Sequence, residues 1–547
     1  MMDEQRRFIS QYNDKTREKF NDFFFNKSDD DIIEDLKKMI LSCQRDRYFT
    51  IKVKSFEVID DYATIMDILY NTSNDHRVFL KESALRLLKV NYYIQYGEES
   101  KDLEVYIAVP RVFDGSYMMI NGNMYIPLFQ LVDGSTYNNT TNKNSKAETI
   151  TLRSISTASA KMIRNFYVLK AADGTQVETT LYSVNLFKRK VPVMNYFLAE
   201  FGFYGALDYF GFTGMVSIDK IKTSKEYKEK PDCYAFITKG HKGLYYVVYC
   251  NKYFFDNERV LQSLIYCLIE SLKKMSYVTY DDGMYAKDFW VSALGYNFVN
   301  KPEQMHDMGE SILYSLKTMY DITTKEVLRL PEEDKADIYG ILKWMATEFT
   351  KLRLKSNTNV VNKRIRWSEW IASLYIAKIN TGLFRISEIN KKNNRKDKEN
   401  LKKIEQAINI KPLVLLSFIM KNSLKGFVNM VNDRDSMLML KYTIKGPSGP
   451  GDKNSKNIST TLRRIDPSHI GIIDINSSSA SDPGVAGMLC PLNKKVYNGK
   501  FTKEMEPNEW QQSFNQMKDA YVDEKKITRA FVITAPLPEG NETDGNS

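Results

Sequence analysis

The stretch Val105–Leu131 reads VYIAVPRVFDGSYMMINGNMYIPLFQL and decides the kind of fold that the first part of the chain adopts. Apolar and polar positions alternate through Val105–Pro110, which is typical of a strand with one buried face. Asp114-Gly115 and Asn121-Gly122 are residue pairs that accept the left-handed conformation of tight hairpin turns. The stretch therefore predicts an antiparallel meander of short strands.

Helical periodicity appears on both sides of this meander. Five apolar residues recur at helical spacing within Asp30–Arg45, which predicts an amphipathic helix. Further helices are predicted over Asn257–Met275, Met308–Tyr320, Arg364–Ile389 and Pro412–Met439. Tyr245–Tyr249 is a short run of strand-forming residues. Helices mixed with antiparallel strands predict an α+β fold.

The composition indicates several folded domains and a basic surface. The 547 residues include 43% hydrophobic residues, enough to bury a large core, and suggest about three or four domains. The net charge of +10 favours a polyanionic partner, although a solvated lysine-rich surface explains the charge equally well. Residues 134–150 are polar and read as a domain edge, and residues 537–547 are expected to be disordered.

Several classes of site are missing from the sequence. The five cysteines form no C-x-x-C pair, which favours structural thiols in a reducing compartment over a metal site. No phosphate-binding P-loop, zinc-protease helix or nucleophile elbow occurs, and no apolar run reaches the length of a membrane span. We therefore predict no catalytic residue and no metal ligand on this chain. Acidic clusters are read as helix caps and turns, at residues 29–31, 60–61, 281–282 and 332–334.

The most informative stretch for function is Lys445–Leu492, KGPSGPGDKNSKNISTTLRRIDPSHIGIIDINSSSASDPGVAGMLCPL. A basic loop rich in glycine and proline leads into a pair of arginines, a sharp turn and a serine-rich loop. Lysine and arginine side chains at such a loop can contact phosphates without reading base sequence. The candidate nucleic-acid-binding residues are Lys445, Lys453, Lys456, Arg463, Arg464 and His469. A basic loop with no nucleic-acid role is the alternative.

This stretch resembles the fork region of RNA polymerase β subunits. There, a fork loop rich in glycine and proline runs into an R-x-V-H-P-T-H-x-G motif. Residues 463–471 here read RRIDPSHIG, so that Arg463, Pro467, His469 and Gly471 match while Asp466 replaces the first histidine. The family's C-P-x-E-T-P-E-G segment is replaced by Asp474–Pro483, and Gly487-Met488 is similar to its closing G-L.

Three upstream segments resemble the same family in the same order. Val105–Leu131 is similar to the strand–turn–strand that ends in N-G and Q-L, at Asn121-Gly122 and Gln130-Leu131. Arg189–Phe210 is similar to the lobe segment K-x-P. Asn362–Ile386 is similar to the N-R-R-V-R stretch. The matching residues of the last two segments are Lys190, Pro192, Asn362, Arg364 and Arg366.

The resemblance implies a particular polymerase chain. It points to the N-terminal half of the β subunit of a multisubunit, DNA-directed RNA polymerase, of the split-subunit type encoded by giant tailed bacteriophages. It implies a protrusion over residues 1–145 and 356–440, an inserted lobe over 146–355, and the fork with the start of the central region over 441–536. The sequence lacks the family's nucleotide-contacting C-terminal signature, so the rest of the β subunit is expected on another chain.

The resemblance also implies a role, partners and a cofactor. The chain would wall the DNA cleft, with catalytic Mg²⁺ bound by another subunit and no activity in isolation. The implied partners are the β C-terminal fragment, the β′ N- and C-terminal fragments, template DNA and the RNA transcript, with a promoter-specificity subunit as a further option. The cytoplasm of the infected host is the expected location, and packaging in the virion is left open. The rival interpretations are a stand-alone DNA-binding or phage structural protein and an unrelated enzyme.

Overall fold

The computed structural model describes most of the chain between residues 29 and 501. The described residues are 29–46, 49–72, 83–113, 117–134, 136–138, 148–154, 159–186, 189–223, 226–240, 244–275, 283–317, 324, 328, 337–355, 358–390, 397–427, 441–446, 458, 460–463, 465–469, 472–474, 484–489, 496–497 and 500–501. The expected disordered tail and the predicted turn at Asp114-Gly115 lie outside this set.

The chain is divided into two units. One unit is formed by Met1–Gly134 together with Ser356–Ser547, and the other by Ser135–Lys355. The second unit is therefore an insertion in the sequence of the first. The names protrusion, lobe and fork, with the boundaries given above, stay predictions.

The described residues form a mixture of helices and strands. The helices are α1 (Asp29–Leu41), α2 (Tyr62–Thr72), α3 (Val193–Phe210), α4 (Lys252–Asn257), α5 (Arg259–Lys274), α6 (Lys287–Tyr296), α7 (Pro302–Lys317), α8 (Ile338–Thr347), α9 (Phe349–Leu354), α10 (Ser368–Asn390), α11 (Asp397–Ile408), α12 (Val414–Lys421) and α13 (Thr460–Arg463). The first twelve strands are β1 (Thr50–Ile59), β2 (Leu85–Tyr96), β3 (Glu99–Pro110), β4 (Val112–Phe113), β5 (Tyr117–Ile120), β6 (Asn123–Pro127), β7 (Phe129–Asp133), β8 (Thr136–Asn138), β9 (Glu148–Arg153), β10 (Ser159–Lys170), β11 (Gln176–Leu186) and β12 (Arg189–Pro192). The remaining strands are β13 (Val216–Ile221), β14 (Cys233–Lys239), β15 (Tyr245–Asn251), β16 (Lys363–Arg366), β17 (Lys425–Phe427), β18 (Lys441–Thr443), β19 (Ile473–Asp474), β20 (Ala486–Leu489), β21 (Val496–Tyr497) and β22 (Lys500–Phe501).

Most strand pairs are antiparallel, and the predicted α+β class is confirmed. In the first unit, β1, β2 and β3 form one sheet, and β17, β6, β5 and β4 form another. Residues 105–131 were predicted as one antiparallel meander, but β3 pairs with β2 and β7 lies in a third sheet, so that the meander of the structure is β4 to β6. Its Asn121-Gly122 turn has φ angles of 53° and 75°, the left-handed pair that a two-residue hairpin turn requires. The predicted amphipathic helix is α1, which buries its apolar face.

Two of the stretches predicted as helices contain a strand in the structure. The stretch Arg364–Ile389 was predicted as one helix, but its first residues belong to strand β16 and the helix begins at Ser368. Pairing with β7 fixes these residues in an extended conformation, and local propensity cannot report such a distant partner. The helix predicted over Pro412–Met439 ends at Lys421 and is followed by β17, while residues 428–440 lie outside the described set.

The second unit has a five-stranded sheet, a three-stranded sheet and a large apolar core. The sheet orders are β12-β11-β10-β9-β8 and β13-β15-β14, and β15 confirms the strand predicted at Tyr245–Tyr249. Helix α3 is apolar on nearly every side and lies in the core. Its Gly202 has φ 72° and ψ −177°, a conformation open essentially only to glycine, which breaks the helix into two parts.

None of the described helices is long and apolar enough to span a membrane.

Candidate nucleic-acid interface

A seven-stranded sheet of the first unit brings distant sequence segments together. Its strand order is β19-β20-β18-β7-β16-β22-β21. The segment that directly follows the meander contributes β7, the basic KRIR segment contributes β16, and the two sides of the Gly/Pro-rich loop contribute β18 and β20. Strand β18 pairs in parallel with β7, and all other neighbours in this sheet are antiparallel. Three of the four segments that carry the resemblance therefore meet in one sheet.

The amide of Gln130, on β7, links two of these segments. The side chain is fully buried, and its Oε1 accepts hydrogen bonds from Nε and Nη2 of Arg366 at 2.9 and 2.8 Å. Its Nε2 donates to the carbonyl oxygen of Lys445 at 3.4 Å. A neutral amide can accept from one neighbour and donate to another, which neither a carboxylate nor a cation can do. Gln130 thus connects β16 to the first residue of the basic loop.

The start of that loop depends on a close backbone approach. Gly446 has φ 122°, a region that residues with a side chain rarely adopt. A Cβ at this position would lie 3.0 Å from Cδ2 of Leu424 and 3.1 Å from Nε2 of Gln130. Ile444 is buried and its N–H donates to the carbonyl oxygen of Val485 at 2.8 Å. The chain therefore leaves the sheet at a fixed place and in a fixed direction.

Strand β16 buries three cations, each within reach of a partner. Lys363 lies 3.0 Å from Asp133, and the guanidinium of Arg364 pairs with Glu369. Arg366, besides its bonds to Gln130, lies with its guanidinium 4.5 Å from the ring centre of Trp370. Buried charges need such partners because desolvation is costly. Arg364 and Arg366 resemble the arginines of the family's N-R-R-V-R stretch, and the contacts described for them here are internal.

The Asp-Pro-Ser-His turn at residues 466–469 is tied to the segment that precedes β16. The Oγ of Ser468 accepts from the N–H of Val360 at 3.0 Å, and Oγ1 of Thr358 donates to Asp466 at 2.9 Å. Partial burial of Asp466 raises the pKa of its carboxyl, whereas the hydrogen bonds from Ser468 and Thr358 lower it. The hydrogen bonds have the larger effect together, so that the pKa lies below its usual range. The turn therefore fastens the far side of the loop to the sheet.

His469 is buried at the centre of this turn. Its Nε2 lies 3.0 Å from the carbonyl oxygen of Thr358, and its Nδ1 accepts from the N–H of Asp466 at 3.3 Å. These two bonds fit the neutral ring with the proton on Nε2. Burial lowers the pKa of the imidazole, against the raising effects of Thr358 and Asp466. The bonds of both ring nitrogens are made within the chain.

The predicted nucleic-acid contacts fall in different places. Lys445 is half-buried at the start of the loop, and its N–H donates to Oγ1 of Thr443 at 3.1 Å. Arg463 is half-buried on α13, and its Nε donates to the carbonyl oxygen of Ile458 at 3.1 Å. Lys453, Lys456 and Arg464 lie outside the described residues. The structure thus defines the two ends of the basic loop, while nucleic-acid binding by these six residues stays a prediction.

The acidic clusters of the first unit make internal contacts. Asp29 and Asp30 lie 3.2 and 2.6 Å from Arg86, which also binds Asp60. Asp61 accepts from the N–H and hydroxyl of Thr64 at the start of α2, as a helix cap does. The predicted helix cap is confirmed for Asp61, whereas Asp29, Asp30 and Asp60 form ion pairs with Arg86. The clusters at 281–282 and 332–334 lie outside the described residues, and the described part of the chain has no group of three or more potential metal ligands.

Sequence reasoning missed the central role of Gln130 in this network. The residue was noted only as part of the matching Gln130-Leu131 pair. A glutamine in the middle of the apolar strand FQLVD was the available signal, because a buried amide must find partners for both its donor and its acceptor.

The family model for "non-virion RNA polymerase subunit" matches residues 2–516, and the chain belongs to that family. It is therefore a component of a phage multisubunit polymerase that works with other subunits, which argues against a stand-alone protein. No curated protein matches the sequence.

Replacing Gln130 with Leu is expected to lower the free energy of unfolding by about 1.5–3 kcal/mol, because the buried guanidinium of Arg366 loses its amide acceptor. Chemical denaturation measures the change. Gln130→Glu should recover part of the loss, since a carboxylate accepts from Arg366 but cannot donate to Lys445. The matched control is Gln176→Leu at an exposed strand position, where we expect almost no change. Equal stability of Gln130→Leu and the unchanged protein would contradict the bridging role.

The buried imidazole predicts a pH-dependent stability. Because the pKa of His469 is depressed in the folded chain, the unfolded chain takes up its proton first as the pH falls below about 6.5. The contribution of the neutral ring to the free energy of unfolding is complete above that pH and decreases below it. His469→Gln keeps an N–H for Thr358 but does not titrate. The stability difference between the two proteins should therefore shrink from about pH 8 to about pH 5.5 in denaturation experiments; a constant difference would count against this assignment.

Proposed function

We propose that the chain is the N-terminal part of the β-type subunit of this phage polymerase. In the assembled enzyme it forms one wall of the DNA cleft and supplies the fork loop, near the point where the downstream duplex opens. The inserted unit takes the role of the lobe, and the outer segments take the role of the protrusion. The proposal rests on the family membership and on the order of the four resembling segments.

The observation that carries the proposal is the meeting of β7, β16, β18 and β20 in one sheet. Segments that are separated by more than 230 residues in sequence converge there. Gln130 holds Lys445 at one end of the loop, and the turn at residues 466–469 is bonded to residues 358–360 at the other. Such a frame supports a loop that must stay in position while a nucleic acid passes.

The loop acts through its charge. Lys453, Lys456, Arg463 and Arg464 contact phosphates, which gives affinity without base recognition and a dependence on salt. Lys445 and His469 belong to the frame of the loop, because Lys445 is held through its backbone and His469 is buried. Arg463 has two roles, since its Nε also bonds to Ile458 at the end of the loop.

The remaining parts of the enzyme lie on other chains. The partners we propose are the β C-terminal fragment and the two β′ fragments, with template DNA and the transcript in the cleft, and a promoter-specificity subunit where the enzyme uses one. Mg²⁺ bound by another subunit supports nucleotidyl transfer, and the isolated chain has no polymerase activity. The enzyme works in the cytoplasm of the infected host, and the non-virion family description argues against packaging in the virion.

Neutralising the loop is expected to weaken the hold of the assembled polymerase on DNA. The slope of log affinity against log salt is negative. In Lys453→Ala/Lys456→Ala/Arg464→Ala its size should be smaller by about 2 to 3, because up to three phosphate contacts are lost. Filter binding of a pre-opened template over a salt series measures this slope. Arg463 is left unchanged in the triple variant because it also stabilises the loop end.

The matched control removes the same charge elsewhere. Lys52→Ala/Lys273→Ala/Lys287→Ala changes three exposed lysines on β1, α5 and α6, and its slope should stay close to that of the unchanged enzyme. Equal slopes for the loop variant and the unchanged enzyme would refute the fork assignment. Equal decreases in both variants would indicate a general charge effect and would refute it as well.

A further inference from the structure

Two tyrosines of the inserted unit form an exposed aromatic stack. The rings of Tyr204 and Tyr285 are nearly parallel, with 12° between their planes and 5.6 Å between their centroids. Tyr204 is 67% exposed, although it lies on the otherwise buried helix α3, and Tyr285 is 37% exposed. Burial of an aromatic ring is favourable, so the exposure of these two rings does not contribute to the stability of the fold.

The stack is held from beneath by the core. Phe203 is buried and meets both rings edge to face, at 5.0 Å from Tyr204 and 6.2 Å from Tyr285. The break at Gly202 begins the helical part that carries both Phe203 and Tyr204. Tyr285 lies in a short helical turn, which is fastened by the bond from Trp290 Nε1 to the carbonyl oxygen of Met284 at 2.7 Å. The two rings therefore form a rigid platform.

A cation lies beside this platform. Nζ of Lys220, an exposed residue on β13, lies 5.2 Å from the ring centre of Tyr285 and 6.0 Å from that of Tyr246. The neighbouring carboxylate, Asp219, lies 3.5 Å from Lys230. Burial raises the pKa of the Tyr285 phenol, so the ring stays neutral and adds no negative charge. The site combines the exposed ring of Tyr204 with a nearby positive charge.

We propose that Tyr204, Tyr285 and Lys220 form a binding platform for single-stranded nucleic acid. An unpaired base stacks on the open face of Tyr204, and Lys220 contacts the adjacent phosphate. Aromatic stacking with a nearby cation is the usual chemistry of sequence-tolerant single-strand binding, and each stacked base contributes substantially to affinity. A duplex binds poorly at such a site because its base faces are already stacked on one another. A protein partner fits less well, because the phenol hydroxyls and the cation make the patch polar.

This inference does not depend on the fork assignment. All of its residues lie within the inserted unit, and its geometry would be unchanged if the basic loop had no nucleic-acid role. It places a second, sequence-tolerant contact on the strand that a polymerase must keep separated.

The test is fluorescence anisotropy of the full chain with a labelled oligothymidylate of about a dozen nucleotides. Tyr204→Leu, which keeps apolar bulk but not a stacking ring, should weaken binding about tenfold, and Tyr204→Trp should retain it or strengthen it. Lys220→Gln should weaken binding less and reduce its salt dependence. The control is Tyr253→Leu in the same unit, since Tyr253 is 71% exposed and meets Phe254 at 78° rather than in a parallel stack.

Each outcome decides the proposal. A tenfold loss confined to Tyr204→Leu, repeated in the background of the loop triple variant, supports the platform even if the fork assignment fails. Binding of Tyr204→Leu equal to that of the unchanged chain overturns it. Equal losses in Tyr204→Leu and Tyr253→Leu, or equal affinity of the unchanged chain for a duplex of the same length, also overturn it. Absence of any oligothymidylate binding overturns it in favour of a protein partner.

Discussion

The first unit depends on one buried amide. Gln130 accepts two hydrogen bonds from Arg366 and donates one to the backbone of Lys445, so that the strand after the meander, a strand after the insertion and the start of the basic loop are held by one side chain. In the buried interior these bonds cannot be replaced by water, and each unmet partner would cost about 1–3 kcal/mol. The polar network therefore favours one arrangement of these strands, since an apolar core alone would also tolerate other arrangements.

The other polar contacts extend the same frame. The three buried cations of β16 are matched by Asp133, Glu369 and the Gln130–Trp370 pair. The turn that contains His469 is bonded to Thr358 and Val360, directly before that strand. Most of the positive charge on β16 is thus paired inside the protein. We therefore propose that the loop binds nucleic acid and that the sheet positions the loop.

The sequence predicted local structure better than long-range pairing. The periodicity of α1 and the Asn121-Gly122 turn were predictable because each depends on residues that are close in sequence. Three of the four residues of β16, Arg364 to Arg366, were predicted as helix, since nothing in their neighbourhood reports that β7 is their partner. Gln130 could be aligned with a family motif, but its three hydrogen bonds depend on residues 236 and 315 positions away. The candidate site was predicted as a list of basic residues, and the structure adds the frame at the two ends of the loop, in which His469 is buried and Lys445 and Arg463 are half-buried.

The most direct test of the central claim is reconstitution of the polymerase from separately purified subunits, with and without this chain. RNA synthesis on a pre-opened template is measured for the complete set, for the set lacking this chain and for this chain alone. If the chain is the N-terminal part of a split β subunit, only the complete set makes RNA, and the activity returns when the missing chain is added. Templated synthesis by this chain alone, or full activity of the set that lacks it, would contradict that claim.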